Sequence, residues 1–294
     1  MSQEVAIIIP IWKSESTLGD CLDALKEQNG IELVIIDNAS KDSSLDILKQ
    51  SELSFKYHRN ETNRGFSVAC NQGIALSKSP LIMMLNDDVV LGENYLSQLT
   101  KLFARCPDLG SATGKLTFAG ENGQRYIDST GLELHKHALR PHDRGQGELD
   151  DGRFDESGPV FGVSGAAPVY RRQALLDVGP EVFDESFFAY YEDVDLAWRL
   201  HKAGWTALYH ADATAEHRRR GPKDKPAAIR KRAFGNRYVM WAKNESLLSF
   251  LSYALIAFPW EVVRILRIVV REGIWPHEEG VGRRVWSAIF GRLA

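Results

Sequence analysis

The sequence is poor in cysteine and has no long apolar run. Its 294 residues include three cysteines, at spacings that form no CxxC pair. A disulfide scaffold and a zinc ribbon are thereby excluded, and a reduced, cytoplasmic setting is expected. No stretch reaches the roughly 18 uninterrupted apolar residues of a membrane-spanning helix. The opening MSQE lacks the basic start of a signal peptide, so no leader is predicted.

Two nucleotide-binding motifs are also missing. No GxGxxG follows the first apolar run, and GxxxxGK[ST] does not occur. Their absence disfavours a dinucleotide-dependent dehydrogenase and a P-loop enzyme.

The formal net charge of -3 hides an asymmetry. Residues 210–294 contain 16 Lys and Arg against 8 Asp and Glu, so the rest of the chain is acidic. A basic tail predicts contact with something anionic, such as a phosphate or a membrane surface. No nucleic-acid partner is expected.

The first hundred residues alternate between apolar runs and helical patterns. Val5–Ile11, Leu33–Ile36 and Leu81–Leu85 predict strands buried on both faces of a parallel sheet. Apolar residues at helical spacing in Leu18–Leu25 and Phe66–Leu76 predict helices between them. A βαβαβ half with right-handed crossovers follows, and ligands of such sheets bind beyond the carboxyl ends of the strands.

The pattern loosens after residue 109 and returns near residue 192. Predicted strands are Gly114–Phe118, Gln124–Leu134, Val160–Tyr170 and Trp205–Tyr209, with a long loop at His135–Ser157 and helices at Glu192–Ala203 and Ala227–Lys243.

The C-terminal segment differs from the rest of the chain. Leu247–Val263 is apolar nearly all round, with a kink expected at Pro259, and Arg264, Arg267, Arg271, Arg283 and Arg284 follow among apolar residues. Basic amphipathic helices of this kind commonly lie in a membrane interface. Packing on the body of the protein or on a second subunit is the alternative.

Polar residues follow the predicted strands. Asp37 and Asn38 come after the second strand, and Asn86-Asp87-Asp88 after the last. Each group alone suits an ordinary turn. The Asp37 carboxylate can instead accept a hydrogen bond from a base N–H or a ribose hydroxyl. The paired carboxylates Asp87 and Asp88 suit Mg²⁺ or Mn²⁺. Gly65, at a helix entrance beside Arg64, would let the backbone approach a ligand.

Acidic residues open the predicted helix at residue 192. Helix-dipole stabilisation accounts for some of them, but Glu192, Asp193 and Asp195 exceed what capping needs. A carboxylate walled by aromatic residues is a candidate general base. His217 is weaker evidence by itself.

Taken in order, these segments resemble the family-2 glycosyltransferases with the A-type nucleotide-sugar fold. The resemblance covers about residues 4–245 and rests on IIIPIW, VIIDNASKDSS, NRGFSVACNQG, LNDDV, VSGAAPVYRR and FFAYYEDVDLAWRLHKAGW. The chain looks most like the rhamnosyltransferase branch that builds bacterial surface polysaccharides. The implied fold is α/β, a mixed and mostly parallel sheet with a Rossmann-like N-terminal half, plus C-terminal amphipathic helices. The implied domains are a transferase domain (1–245, divided at 108/109) and a helical segment (246–294).

The resemblance also implies a role for each site residue. It implies nucleotide-sugar binding by Pro10, Trp12, Asp37, Asn38, Arg64, Gly65, Asn86, Asp87, Gly165 and Ala166, metal binding by Asp88 and His217, and catalysis by Asp193 with Glu192. Asn86 replaces the first Asp of the family's Asp-x-Asp motif. The basic loop Arg218–Lys225 would close over the diphosphate.

The implied reaction is an inverting, metal-dependent sugar transfer that uses Mg²⁺ or Mn²⁺. The best candidate donor is dTDP-rhamnose, and the acceptor a saccharide or lipid-linked molecule. The C-terminal helices would hold the enzyme at the inner face of the plasma membrane, or pair two copies in a homodimer.

Other interpretations remain open at this point. They are a transferase of the same fold that uses UDP-hexose or UDP-N-acetylhexosamine, and a non-enzymatic membrane-associated scaffold, which the intact carboxylate pairs argue against. A glycoside hydrolase also uses two carboxylates but needs no diphosphate site. A sugar nucleotidyltransferase would carry a glycine-rich N-terminal signature, which is missing.

Overall fold

The N-terminal half of the protein alternates strands with helices. The structure is a computed structural model and describes residues 4–121, 123–135, 140–218, 227–272, 275–276 and 280–290. The first elements are β1 (Val5–Ile11), α1 (Leu18–Leu25), β2 (Ile31–Asp37), α2 (Ser44–Gln50), β3 (Phe55–Arg59), α3 (Phe66–Leu76) and β4 (Leu81–Met84). Parallel pairing joins β4 to β1, β1 to β2 and β2 to β3. The predicted parallel half is therefore confirmed, with one additional strand.

Strand β1 shows why this half is parallel and layered. Its residues alternate between two apolar clusters, Ile7 and Ile9 packing on the side of α1, and Ala6 and Ile8 on the side of α3. All four are fully buried. Because helices cover both faces, both sets of alternating residues must be apolar. The polar residues that follow each strand are thus left at the carboxyl edge of the sheet.

The second half extends the same sheet with mixed pairing. Its elements are β5 (Val89–Leu91), α4 (Tyr95–Arg105), β6 (Leu109–Ala119), β7 (Arg125–Ser129), β8 (Leu132–His135), β9 (Arg140–Asp143), β10 (Gly158–Pro159), β11 (Val169–Arg171), α5 (Arg172–Asp177), α6 (Glu192–Lys202) and β12 (Thr206–His217). The ten-stranded sheet has the order β10-β12-β6-β11-β4-β1-β2-β3, with β5 beside β12 and β7 beside β6. Strands β8 and β9 form a separate two-stranded sheet.

All four strands predicted in the second half are wrong in their bounds. Gly114–Phe118 is only part of the longer β6, and Trp205–Tyr209 covers only the start of β12. The strand expected over Gln124–Leu134 divides at Gly131, whose φ of +108° turns the chain between β7 and β8. The strand expected over Val160–Tyr170 shrinks to the three residues of β11. Its remainder bonds to separate elements, since Val160 N donates to Ala207 O and Asn86 N donates to Ala166 O. Part of the predicted loop His135–Ser157 is strand β9.

Three helices end the described chain: α7 (Ala227–Asn244), and then α8 (Leu247–Glu272) and α9 (Val281–Phe290) in the predicted C-terminal segment. Residues 229–244 of α7 are buried or half-buried, whereas α8 has many exposed residues. Helix α8 continues through Pro259. A buried ion pair joins Arg237 of α7 to Glu261 of α8, and Phe250 and Ala257 of α8 are buried beside it. Among the described residues, no helix has the length and hydropathy needed to cross a membrane.

Candidate active site

Asp37 ends β2 as a buried carboxylate with three protein donors. Its Oδ2 accepts from the Tyr57 hydroxyl at 2.8 Å and pairs with Arg59 Nη1 at 2.9 Å, while Oδ1 accepts from Ser40 N at 2.7 Å. Tyr57 and Arg59 lie on β3, which pairs with β2 in register. The neighbouring strand therefore holds this carboxylate in place at the sheet edge.

Asn38 connects the end of β2 to the entrance of α3. Its Nδ2 donates to Gly65 O at 3.1 Å, and its Oδ1 accepts from Asn60 Nδ2 at 2.9 Å and from Arg64 N. These bonds bring together four of the residues predicted to bind the nucleotide, namely Asp37, Asn38, Arg64 and Gly65. The Arg64 side chain is exposed.

Pro10 and Trp12 lie at the carboxyl end of the adjacent strand. Pro10 pairs with Ile36 across the β1–β2 ladder, so Trp12 follows beside Asp37 and Asn38. The Trp12 ring is 38% exposed, with Lys13 Nζ 5.0 Å from its centroid. An exposed indole at this edge offers a stacking surface for a planar base.

Gly65 meets a protein group, not open space. A Cβ at this position would lie 2.6 Å from both the ring and the carbonyl oxygen of Phe188. The N–H groups of Phe66 and Ser67, in the first turn of α3, donate to that same oxygen. The expectation that Gly65 admits a ligand to the helix entrance is therefore corrected, because Phe188 already occupies the approach.

Replacing Gly65 with Ala should destabilise the protein more than replacing Gly179 does. Both residues have positive φ, +89° and +112°, but nothing lies within 4 Å of a Cβ at Gly179. The contact with Phe188 adds an overpacking cost of about 1–3 kcal/mol to the backbone strain that both variants share. Urea unfolding of the two variants measures the difference. Equal losses in the free energy of unfolding would show that Phe188 moves aside without an energetic cost.

The predicted metal residues lie together at the next strand end. Asp88 Oδ1 is 3.1 Å from His217 Nε2, and the other ring nitrogen of His217 is 2.7 Å from Asp128 Oδ2. His217 ends β12, which pairs with β5 immediately after Asp88, and Asp128 lies on β7. Burial lowers the pKa of His217, but the hydrogen bonds that its ring donates to Asp128 and Asp88 outweigh this effect and raise that pKa to about 9.

This arrangement fits a divalent cation. A metal-binding His usually donates its second ring N–H to a carboxylate, and Asp128 is placed to accept it. Asp88 supplies a hard carboxylate oxygen beside His217 Nε2. Asp88 and His217 would therefore be the metal ligands, and Asp128 would orient the imidazole. Asp87 lies next to Asp88, and both charges help raise the pKa of the buried Cys21 thiol, after the effect of burial itself.

Glu192 and Asp193 begin α6 in different environments. Asp193 Oδ2 accepts from Gly165 N at 2.9 Å, and its Oδ1 accepts from Val194 N at 2.8 Å. Burial raises the pKa of Asp193, against the lowering effect of these two donors. Burial and then the adjacent Asp193 charge raise the pKa of Glu192 well above its ordinary value. The two backbone donors thus favour the carboxylate form of Asp193, whereas the structure gives Glu192 no such pair of donors.

Backbone hydrogen bonds join these groups along one sheet edge. Ala166 O accepts from Asn86 N, and Gly165, its neighbour, donates to Asp193. Phe188 O, four residues before Glu192, accepts from the first turn of α3. The predicted donor, metal and base residues thus occupy one contiguous region. Of the predicted basic loop, residues 219–225 lie outside the described residues, and Arg218 pairs with Asp20 and Glu216.

Sequence reasoning missed Tyr57, Arg59 and Asp128. Tyr57 and Arg59 belong to β3, whose sequence FKYHR has no continuous apolar run because four of its five side chains are exposed. Asp128 lies inside β7, far along the chain from His217. The alternation of Phe55, Tyr57 and Arg59 after a helix is the available signal for β3, but no signal points to Asp128.

A separate cluster of possible metal ligands lies on the β8–β9 hairpin. Glu133, His135 and His142 bring their ligand atoms within 4.8 Å of one another. Glu133 and His142 face each other across the ladder, and the two imidazoles stack at 4.6 Å. Glu133 and His135 are about half exposed, so cross-strand ion pairing at the surface accounts for the cluster.

Comparison with solved structures places the fold among A-type glycosyltransferases. A mannosyltransferase from Pyrobaculum calidifontis, described in complex with GDP-Man and Mn2+, matches with a TM-score of 0.59 at 14% identity, over all of this chain and 81% of that one. S. aureus TarS 1-349 matches with a TM-score of 0.60 at 16% identity, over all of this chain and 82% of that one. At this identity the likeness concerns the fold alone, and it confirms the predicted fold class.

The chain belongs to glycosyl transferase family 2, whose sequence model matches residues 6–179, more than half of the chain. The family predicted from the ordered motifs is thus confirmed. The matched region includes Asp37, Asn86-Asp87-Asp88 and Gly165, and it ends before Glu192.

Curated relatives cover the chain to different extents. An N-acetylglucosaminyl-diphospho-decaprenol L-rhamnosyltransferase from Mycobacterium tuberculosis is 27% identical over 66% of this chain and 68% of its own length. A poly(ribitol-phosphate) beta-glucosyltransferase from Bacillus spizizenii is 30% identical over 32% of this chain, which spans 16% of that relative.

Proposed function

We propose that the protein transfers a sugar from a nucleoside-diphosphate donor to a hydroxyl acceptor, with inversion at the anomeric carbon. The observation that carries the proposal is Asp193, a buried carboxyl whose two oxygens accept from the backbone N–H groups of Gly165 and Val194. Gly165 precedes Ala166, whose carbonyl accepts from Asn86 N at the strand end that also presents Asp88. A buried carboxyl held in a fixed orientation is suited to act as a general base.

The transfer is a single displacement. Asp193 removes the proton of the acceptor hydroxyl as its oxygen bonds to the anomeric carbon. The bond from that carbon to the diphosphate oxygen breaks, and its electron pair leaves with the nucleoside diphosphate. A positioned base contributes about 10²–10⁴-fold to such a step.

The nucleotide would lie along the ends of β1 and β2. We assign base and ribose contacts to Pro10, Trp12, Asp37, Asn38 and Arg64, and contacts with the diphosphate-sugar to Asn86, Asp87, Gly165 and Ala166. The fixed position of Asp37 supports the first assignment, because a pre-oriented carboxylate loses little freedom on binding.

Mg²⁺ or Mn²⁺ would be held by Asp88 and His217. When bound, the cation would neutralise the negative charge that develops on the leaving diphosphate. The acidic lining of this edge, with Asp87 next to Asp88, supports a cation there. The Pyrobaculum mannosyltransferase, which shares the fold and is described with Mn2+, is consistent with this choice.

We propose dTDP-rhamnose as the donor. The support is the Mycobacterium relative, which is named a rhamnosyltransferase and matches two thirds of this chain. A UDP-hexose or UDP-N-acetylhexosamine is the second candidate, favoured by the Bacillus relative named a glucosyltransferase. A saccharide or lipid-linked acceptor follows from the same relatives.

A donor screen tests the function. Calorimetric titration with dTDP-rhamnose, UDP-hexoses and GDP-sugars, each with and without Mg²⁺ or Mn²⁺, identifies the donor, and product analysis reads the anomeric configuration. We expect one donor to bind in a metal-dependent manner and its sugar to be transferred with inversion. Release of free sugar without a nucleotide donor, or no turnover of any donor, would refute the proposal.

We also propose that α8 lies on an anionic membrane surface at the inner face of the plasma membrane. Its face away from α7 exposes large apolar side chains, with Leu248 81%, Leu255 77%, Trp260 71% and Val270 82% exposed. Arg267 is exposed among them. An apolar face with adjacent arginines is typical of interfacial helices.

Replacing Leu255 and Trp260 with Gln should abolish sedimentation with phosphatidylglycerol vesicles. The matched control is Leu176→Gln, which changes a residue 58% exposed on α5 and should sediment like the wild type. Light scattering without vesicles tests the alternative, in which α8 forms the interface of a homodimer. A homodimer that the double substitution dissociates, with no vesicle binding by the wild type, would contradict the membrane proposal.

Arg284, on α9, contacts the protein. Its Nη2 donates to Ser186 O at 3.1 Å and also to Asn236 Oδ1. The side chain is therefore directed into the protein, toward the loop before α6.

A further inference from the structure

The loop that precedes Glu192 holds a strained backbone. Phe188, Tyr190 and Tyr191 have φ of 65°, 71° and 71°, values that L-residues with side chains rarely adopt. Each such residue costs about 1–3 kcal/mol and persists only where its surroundings impose it. The conformation places Phe188 O on the first turn of α3 and Tyr191 at the start of α6.

A single side chain of α7 contacts three carbonyls of this loop. Asn236 is fully buried, and its Nδ2 lies 2.9 Å from the carbonyl oxygens of Phe187, Ala189 and Tyr190. These carbonyls point inward because the left-handed residues between them turn the peptide planes. One amide group thus binds the section of backbone where the strain is concentrated.

Two arginines also donate hydrogen bonds to the carbonyls of this loop. Arg232 of α7 donates from Nε to Phe187 O at 3.1 Å and from Nη2 to Ser186 O at 2.9 Å, with its guanidinium 5.3 Å from the Phe188 ring. Arg284 of α9 donates to Ser186 O and to Asn236 Oδ1. Because Arg284 engages the amide oxygen, the amide nitrogen must face the loop.

We propose that Asn236, oriented by Arg284, is a positioning residue that holds the loop Ser186–Tyr191 so that Glu192 and Asp193 are correctly placed. Helix α9 is then required for the chemical step, beyond any contact it makes with a membrane. This inference rests on the proposed function, since it concerns the placement of the proposed base. Neither Asn236 nor Arg284 touches the substrate in this role.

The test compares Arg284→Ala with Arg105→Ala. Arg105 is exposed at the end of α4 and carries the same charge, so its loss controls for the change in net charge. We expect Arg284→Ala to lower kcat by about tenfold, within the 10²-fold that a 1 Å misplacement can cost, with donor affinity unchanged and the protein still fully folded at the assay temperature. Arg284→Lys should recover part of the loss, and Arg105→Ala should match the wild type.

Hydrogen–deuterium exchange supplies a readout that is independent of activity. Arg284→Ala should speed exchange in residues 186–193 and leave β1 and β2 unchanged. Wild-type kcat together with wild-type exchange in Arg284→Ala would overturn the inference, as would a kcat loss that only follows a loss of folded protein. If the wild type transfers no sugar, the proposed function fails, and the exchange result still decides whether Arg284 holds the loop.

Discussion

Replacing Asp193 with Asn should reduce sugar transfer by about 10²–10⁴-fold while donor binding persists, because the amide cannot accept the acceptor's proton. Asn retains the size of Asp and can still accept from Gly165 N through its oxygen. Initial rates with a saturating donor measure the first effect, and calorimetry with the donor measures the second. Loss of donor binding in parallel with rate would contradict the assignment of Asp193 as the base.

The pH dependence of the wild type provides a second check on Asp193. A base acts when deprotonated, and burial raises the pKa of this carboxyl. The rate should therefore fall with decreasing pH, and the fall should begin at a higher pH than for an ordinary Asp. Asp151→Asn is the control, because Asp151 is exposed and pairs with Arg153 two residues along the chain. The pH profile of this variant should match that of the wild type.

Replacing Asp88 with Ala should weaken metal-dependent donor binding by about 100-fold or more. Loss of a group that merely orients a ligand costs about 10–100-fold in metal affinity, so loss of a carboxylate donor should reach at least the upper end. Calorimetry with donor and Mn²⁺ measures this effect, and Asp128→Asn should give a smaller loss because it only releases His217.

The control for Asp88 is the same titration without metal. Both variants and the wild type should then bind the donor with the same weak affinity. Unchanged binding of Asp88→Ala in the presence of Mn²⁺ would contradict its role as a ligand. A larger loss for Asp128→Asn than for Asp88→Ala would reverse the two roles.

The apolar runs predicted the parallel half of the fold. Strand Val5–Ile11 has the predicted bounds because burial on both faces demands uninterrupted apolar residues. Helix Phe66–Leu76 also has the predicted bounds, because apolar residues recur in it at helical spacing. Strand β3 lies at the sheet edge with exposed side chains, so its only sequence signal is a short alternation. Beyond residue 109, turns at glycines such as Gly131 decided the strand bounds.

The candidate site was predictable where its residues follow strands. Asp37 and Asp88 are brought to one edge because parallel strands share their carboxyl ends. The partners of these residues were not predictable. Arg59 reaches Asp37 from β3, a strand that the hydrophobic pattern does not mark, and Asp128 reaches His217 from β7, which pairs with β6. Arg284 shows the same limit, because an arginine on an amphipathic helix looks identical whether it faces lipid or a buried amide.

The sequence by itself determined the family, the parallel half of the sheet and the carboxylates at its edge, because local hydrophobic patterns and ordered motifs encode them. Only the tertiary structure decided how those carboxylates are held. It placed His217 between Asp88 and Asp128, and it bound a strained loop to Asn236 of α7. The physical reason is that charge and backbone strain are compensated by whichever groups folding brings near, and no spacing along the chain records that proximity.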